Sequence, residues 1–154
     1  MLRYMNPPAV VQPFSRYSQG VEMPGPARWV HVSGQIGATK DGKIEQGFEA
    51  QARRAWLNVM GVLEATGMSA ADIVKYNVYL TRREDVASAR GIRDEMMKGY
   101  AAASTLVVIS ALAHPDLLIE VEAIAAKAVA SEITSARARH APQGEGNTQA
   151  DAQG

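Results

Sequence analysis

Residues 102–125 read "AASTLVVISALAHPDLLIEVEAIA" and carry clear signals of local structure. Two runs rich in valine, isoleucine and leucine stand on either side of a proline, which predicts two strands, at about 105–112 and 117–127, joined by a turn. Because side chains alternate along a strand, Glu120 and Glu122 share one face, roughly 7 Å apart. Leu117, Ile119 and Val121 form the other face, so the second strand is amphipathic.

The two glutamates are candidates for chemistry. Burial of their face at an interface, together with mutual repulsion, would raise the pKa of at least one carboxyl, which suits a general acid or a base that orients water. The alternative is an ordinary solvated strand face, or an ion pair with one of three basic residues, Arg53, Arg54 and Lys75. The pattern alone leaves both interpretations open.

Two further segments have the alternation of strands. "RWVHVSGQI", residues 28–36, predicts a half-buried strand, and the Asp41-Gly42 pair that follows predicts a tight turn. "VKYNVYL", residues 74–80, predicts a second such strand, preceded by a short turn that Ser69 caps. The predicted inward faces are Val30, Val32, Gly34 and Ile36 in the first strand, and Val74, Tyr76, Val78 and Leu80 in the second.

Apolar residues at helical spacing predict helices at 48–63, ended by Gly67, and at 83–100, weakened but not ended by Gly91. The order β-(β)-α-β-α-β-β predicts an α+β domain with a mixed sheet and two helices on one face. When helices cover just one face of a sheet, the other face also has to be buried against something. Oligomerisation through the open face is therefore expected.

The composition limits the function classes. Of the 154 residues, 47% are hydrophobic, and 16 basic residues balance 16 acidic ones, so no net field favours nucleic acid or an anionic membrane. The absence of cysteine excludes disulfides, thiol catalysis and thiolate metal sites. No signal peptide and no apolar run of about 20 residues is seen. We expect a cytoplasmic protein without a nucleic-acid or membrane partner.

The domain boundaries follow from where large apolar residues occur. We predict an N-terminal extension at 1–11, one folded domain at 12–129, and a mostly disordered tail at 130–154, which is rich in Ala, Gly, Gln, Ser and Thr. A helical start at 133–139 remains possible, and His140 is interpreted as solvated. The three histidines have no metal-ligand spacing, so no metal site is predicted.

Two other places are candidate parts of a site. Ser33, followed by Gly34, is typical of a strand where the backbone approaches a ligand, although a plain bulge explains it equally well. Tyr17 precedes a Gln-Gly turn and could close a pocket over Ser33, or it packs as a surface aromatic. His31 lies on the same side as Ser33, where a lone histidine is more often structural.

Taken together, these residues resemble the RidA/YjgF family of reactive-intermediate deaminases. The matching pieces are "YSQGVE", "VHVSGQIG", "QARRAWLNVMGVLEATGMSAADIVKYNVYLT" and "LLIEVEAIAAK", in the family's order and spacing, over residues 17–127. The resemblance implies a chorismate-mutase-like α+β fold, assembled as a homotrimer, with small-molecule sites in the clefts between subunits.

The resemblance also implies roles for individual residues. Deaminating members hydrolyse enamines or imines of small 2-amino acids without a metal or organic cofactor. By position, Tyr17 and Ser33 would line the pocket and Glu120 would orient the water or relay its proton as the catalytic residue. Glu122 would be structural or support the residues around the site.

One departure from the family pattern concerns substrate binding. Deaminating members carry an arginine whose fork binds the substrate carboxylate, and counting back from Glu120 places Ser104 at that position. A serine cannot supply this contact, whose loss in a dry cleft costs about 2 to 5 kcal/mol. Another arginine, such as Arg28, Arg82 or Arg83, would have to reach in to replace it.

Two functions follow as expectations. The first is a cofactor-independent hydrolase that deaminates a small enamine or imine, with a specificity altered from that of the 2-imino acid deaminases. The second is a trimer that binds a small molecule or regulates a partner without deaminating anything. An endoribonuclease role, sometimes attached to the family, is disfavoured because the chain has zero net charge.

Overall fold

The computed structural model describes residues 1–129. The tail predicted at 130–154, with its possible helical start and His140, lies outside the described residues. Within 1–129, none of the helices combines the length and the apolar character needed to cross a bilayer.

The described chain contains six strands and two α-helices, in the order β-β-β-α-β-α-β-β. Their bounds are β1 Arg3–Met5, β2 Gly20–Glu22, β3 Ala27–Ile36, α1 Phe48–Ala65, β4 Ile73–Leu80, α2 Val86–Met97, β5 Ala103–Val108 and β6 Ile119–Ala128. The order predicted for the residues after 27 is confirmed, and each element lies close to its predicted place. The second helix begins later than predicted because its first residues, Arg83–Asp85, form a 3₁₀ turn.

The four long strands form one mixed sheet in the order β3-β6-β4-β5. β6 pairs antiparallel with both β3 and β4, and β4 pairs in parallel with β5 after the crossover through α2. β3 and β5 are therefore the two edge strands. β1 and β2 make a separate antiparallel pair, so part of segment 1–11 is ordered against the following residues.

The core lies between the sheet and the two helices. α1 packs on β3 and β6, and α2 packs beside α1. Trp56 of α1 and Tyr76 of β4 are each 1% exposed and meet edge to face, with ring centroids 5.3 Å apart. Both helices lie on this face, so the described chain leaves the other face uncovered by helix, as predicted. We call it the open face; it carries Glu120 and Glu122.

The end of α1 is set by Gly67. Its φ of 71° is in the left-handed region, where a side chain would be strained. The backbone N–H of Gly67 donates to Glu64 O and that of Met68 donates to Leu63 O, which is the Schellman pattern. Ser69 then caps the short turn that leads into β4, as predicted, because its side chain accepts from the backbone of Ala71.

Two bulges change which residues face the core. In β3, Val32 pairs with Ala123 but Gln35 pairs with Val121, so one extra residue lies at Ser33-Gly34. An extra residue reverses the alternation beyond it. The prediction that Ile36 faces inward with Val32 is therefore wrong, because Ile36 pairs with Glu120 on the open face.

The second bulge is at the start of β4, between Ile73 and Lys75. Val74 was predicted to face inward, but Ile73 fills that position and is fully buried. From Tyr76 to Leu80 the predicted alternation is confirmed. The Asp41-Gly42 turn is also present, closed by a hydrogen bond from Gly42 N to Thr39 O.

Candidate functional site

Glu120 lies over the β3 bulge on the open face. Its Cα pairs with those of Ile36 and Tyr79 on the two neighbouring strands. A Cβ built on Gly34 would collide with the carboxylate of Glu120, so a side chain at position 34 would have to displace that carboxylate. Ser33-Gly34 is therefore a bulge, and its glycine makes room for an acidic side chain. The approach of a ligand to this backbone stays a prediction.

Glu122 occupies a different environment from Glu120. Its Oε1 accepts hydrogen bonds from Asn77 Nδ2 at 2.7 Å and from the Tyr79 hydroxyl at 2.8 Å. These two donors, Asn77 first, hold the pKa of Glu122 below its usual range. In the single chain, hydrogen bonding outweighs desolvation at Glu122. The expectation that burial at an interface raises the pKa of at least one of the two carboxyls stays a prediction.

The predicted ion-pair alternative for the glutamates is also not found. Arg53 pairs with Glu95, and Arg54 pairs with Glu45 at 3.2 Å. Lys75 donates to Thr105 Oγ1 at 2.7 Å, and burial lowers the pKa of its ammonium. Among residues 1–129, Glu120 takes part in no side-chain hydrogen bond, whereas Glu122 has two. Glu120 is thus the carboxylate left available on this face.

Ser33 lines a shallow depression of about 250 Å³ on the open face, next to His31, Lys75 and Glu122. Ser33 is exposed, and its neighbours come from β3, β4 and β6. Tyr17 does not line this depression. The prediction that Tyr17 closes over Ser33 is therefore not met within one chain.

Tyr17 lies instead beside Ser104, at the opposite edge of the sheet. Ser18 bridges to Ala103 in parallel fashion, and its N–H donates to Ala102 O at 3.3 Å, which fixes the preceding segment along β5. Tyr17 and Ser104 line one cavity of about 250 Å³, together with Arg90 and Arg93 of α2. We call this the β5-edge cavity.

The predicted site residues thus form two groups. Ser33 of β3 and Glu120 of the neighbouring strand β6 lie near the β3 edge, and Tyr17 and Ser104 lie together at the β5 edge. β5 is separated from β3 by three strand spacings, about 14 Å, and from β6 by two, about 10 Å. Ser104 pairs with Tyr76, which faces the helices, whereas Glu120 is on the open face. One small ligand cannot contact both groups of a single chain.

Two of the arginines considered as substitutes for the missing one are occupied elsewhere. Arg28 Nη2 donates to Thr66 O at 3.1 Å, and Arg82 forms a fork with Asp85 at 2.7 and 3.0 Å. Sequence reasoning missed Arg93. The signal was present, because Arg93 falls at helical spacing with Ala89 and Met97 on the buried side of α2.

The described residues contain no group of three or more His, Asp or Glu side chains placed to hold a metal ion.

The fold and these two groups can be compared with known proteins. A family model described as endoribonuclease L-PSP matches residues 8–127. The chain belongs to the RidA/YjgF family. It is 33% identical over 126 residues to a 2-iminobutanoate/2-iminopropanoate deaminase of Salmonella typhimurium, covering 79% of this chain and 93% of that relative.

Two further comparisons agree with the membership in the RidA/YjgF family. A RutC family protein of Aquifex aeolicus is 29% identical over 128 residues, which is 82% of this chain and all of that relative. A solved structure from Yersinia pestis, described as a protein of unknown function of the conserved Rid family, superposes with a TM-score of 0.72 at 28% identity, over 80% of this chain and 97% of that one.

Proposed function

We propose that this RidA-family protein is a hydrolase that deaminates a small enamine or imine without a cofactor, with a specificity altered by the serine at position 104. The observation that carries the proposal is Glu120, held over Gly34 and without a hydrogen-bond partner among residues 1–129. A carboxylate with free lone pairs on a partly buried face suits the activation of water.

The reaction balances with water alone. An enamine takes a proton on carbon and gives one up from nitrogen to become the imine. Water then adds to the C=N carbon, and the resulting carbinolamine moves its hydroxyl proton to nitrogen and loses ammonia to leave a ketone. Glu120 would accept a proton from the attacking water and return it to the departing nitrogen. Ser33 would hydrogen-bond the substrate, and the two bonds to Glu122 would keep the neighbouring strand β4 in place.

The proposal includes a homotrimer with the ligand in the clefts between subunits. It is supported by the uncovered open face and by the separation of the two groups of site residues. If the β3 edge of one copy lies beside the β5 edge of the next, Glu120 and Ser33 meet Tyr17 and Ser104 from a neighbour. Sedimentation equilibrium should then give three times the chain mass of 16.5 kDa. A monomer at micromolar concentration would contradict this part of the proposal.

Ser104 stands where deaminating members carry the arginine that binds the substrate carboxylate. This difference favours a second candidate function, a trimer that binds a small molecule or regulates a partner and has no deaminase activity. Such a protein would keep the cleft and lose turnover. Turnover therefore decides between the two functions.

The test is ammonia release from 2-iminopropionate generated in situ, from uncharged enamines and from aminomuconate-type compounds, each against an uncatalysed control. We expect release above the control from at least one compound. Glu120→Gln should abolish it while the trimer still forms, because glutamine cannot take the proton from water. No ammonia release from any of the compounds would favour the binding trimer over the hydrolase. Full activity of Glu120→Gln would show that Glu120 is not part of the mechanism.

A further inference from the structure

The β5-edge cavity has an excess of positive charge. Its polar lining consists of two guanidinium groups, Arg90 and Arg93, and four hydroxyl side chains, Ser15, Tyr17, Ser104 and Thr105; no aspartate or glutamate of residues 1–129 lines it. Hydroxyl and guanidinium groups can all donate hydrogen bonds, and the guanidinium fork matches a carboxylate. The chemistry of this lining suits a small anion.

Arg93 is buried to a degree unusual for a charged side chain, with 5% of its surface exposed. Its Nη1 donates to the Tyr76 hydroxyl at 3.2 Å and its Nε donates to Asp94 Oδ1 at 2.8 Å. Its Nη2 has no hydrogen-bond partner among residues 1–129. A buried donor without a partner is costly, so a ligand that accepts from it would be stabilised.

Nearby acids do not neutralise this charge. Asp94 is the carboxylate paired with Arg93, and it also lies 4.0 Å from Arg16 Nε. Arg90, the other cation in the lining, is exposed. Arg93 and Arg16 thus share one carboxylate, and Arg90 adds a further positive charge to the lining, so positive charge exceeds negative charge here.

We propose that the β5-edge cavity binds the carboxylate of the substrate, and that Arg93, on a helix, supplies the cation that Ser104 does not. The identity of the ligand as a substrate rests on the function proposed above. The expected substrates are therefore enamines or imines that carry a carboxylate. This carboxylate would bind near Arg93 of α2, not next to Ser104 on β5. This displacement accounts for an altered specificity without loss of the acidic group.

The first measurement is calorimetric titration with pyruvate, a carboxylate of the product class, and with pyruvamide, its uncharged analogue, at constant ionic strength. We expect pyruvate to bind at least about tenfold more tightly than pyruvamide, since a charge-assisted pair is lost in the amide. Equal affinities would overturn the proposal.

The second measurement uses Arg93→Gln, with Arg83→Gln as the matched control. Arg83 is an exposed arginine outside the cavity, so both variants remove one positive charge. Pyruvate affinity should fall at least about tenfold in Arg93→Gln and stay unchanged in Arg83→Gln. Wild-type affinity in a folded Arg93→Gln would overturn the proposal.

If Arg93→Gln fails to fold because position 93 is buried, pyruvate titration of Ser104→Asp tests the proposal instead. An aspartate there places a fixed carboxylate in the cavity, so pyruvate should no longer bind, whereas Ser104→Asn should retain binding. Undiminished pyruvate binding by Ser104→Asp would contradict the proposal.

These titrations do not depend on turnover. If pyruvate binds through Arg93 but no compound releases ammonia, the proposed carboxylate site stands and the proposed deaminase activity is wrong. Ammonia release from 2-iminopropionate by Arg93→Gln at wild-type KM would keep the deaminase and reject the site.

Discussion

At the scale of single residues, a glycine decides where the candidate catalytic carboxylate lies. Gly34 has a negative φ, so its importance is space rather than backbone freedom. The bulge turns the Ser33-Gly34 backbone under Glu120, and the missing side chain lets the carboxylate occupy that space. Glu122, two residues along the same strand, is instead held by donors from β4.

Gly34→Ala should therefore displace Glu120 without unfolding the protein. The clash is with the end of a flexible side chain, so we expect a loss of about 1 kcal/mol in the free energy of unfolding. Misplacement by about 1 Å should lower kcat by about a hundredfold. Ammonia release and urea denaturation measure the two effects, and a variant with full kcat would show that the position of Glu120 is unimportant.

Glu122 should make the stability depend on pH on the acid side. Its pKa is depressed in the folded chain, so its stabilisation is present above the unfolded pKa of about 4.3 and is lost as the pH falls through the folded pKa. Glu122→Gln should show a smaller drop in the free energy of unfolding between neutral and acid pH.

Tyr79→Phe removes one of the two donors to Glu122 and should give an intermediate slope. Urea titrations at a series of pH values, at fixed protein concentration, provide the measurement. Identical pH profiles for Glu122→Gln and the wild type would contradict the assignment of these hydrogen bonds.

At the scale of elements, the alternation of apolar and polar residues and their helical spacing were enough to predict the helices and the long strands. These patterns did not predict on which face of the sheet the residues beyond a bulge lie. Ile36 and Val74 were assigned to the wrong face because a bulge leaves the local pattern of residue types almost unchanged. Gly67 and Ser69 were predictable, since their effects act within one turn of chain. β1 and β2 were missed because strands of three residues without a buried side chain carry no periodic signal.

The glycines inside the helices have no comparable role. Gly61 lies in α1, is exposed, and a Cβ built on it would meet nothing within 4 Å. Gly61→Ala should raise the free energy of unfolding by about 0.5 to 1 kcal/mol, because alanine loses less backbone entropy in a helix. It should leave ammonia release unchanged, which makes it the matched control for Gly34→Ala. A destabilised Gly61→Ala would mean that this surface is packed in the assembly.

At the scale of the whole molecule, the sheet separates residues that the proposed reaction needs together. The sequence placed Tyr17, Ser33, Ser104 and Glu120 in one expected pocket through the family resemblance, yet their distribution over two edges depends on strand order. Strand order is a non-local property, and β6, the last strand in the chain, inserts between β3 and β4. The position of Tyr17 beside Ser104 depends in the same way on the bridge between Ser18 and Ala103.

The proposed function requires one reaction site to be shared between neighbouring copies of the chain. It can be tested by coexpressing Glu120→Gln and Ser104→Asp with different tags and measuring ammonia release by the mixed trimers. Each variant alone should be inactive. Each cleft takes residue 120 from one copy and residue 104 from its neighbour, and each of these is wild type in half of the copies. Random mixing therefore leaves about a quarter of the clefts with both wild-type residues, and about a quarter of wild-type activity should return. Mixed trimers that form but stay inactive would contradict a site shared in this way.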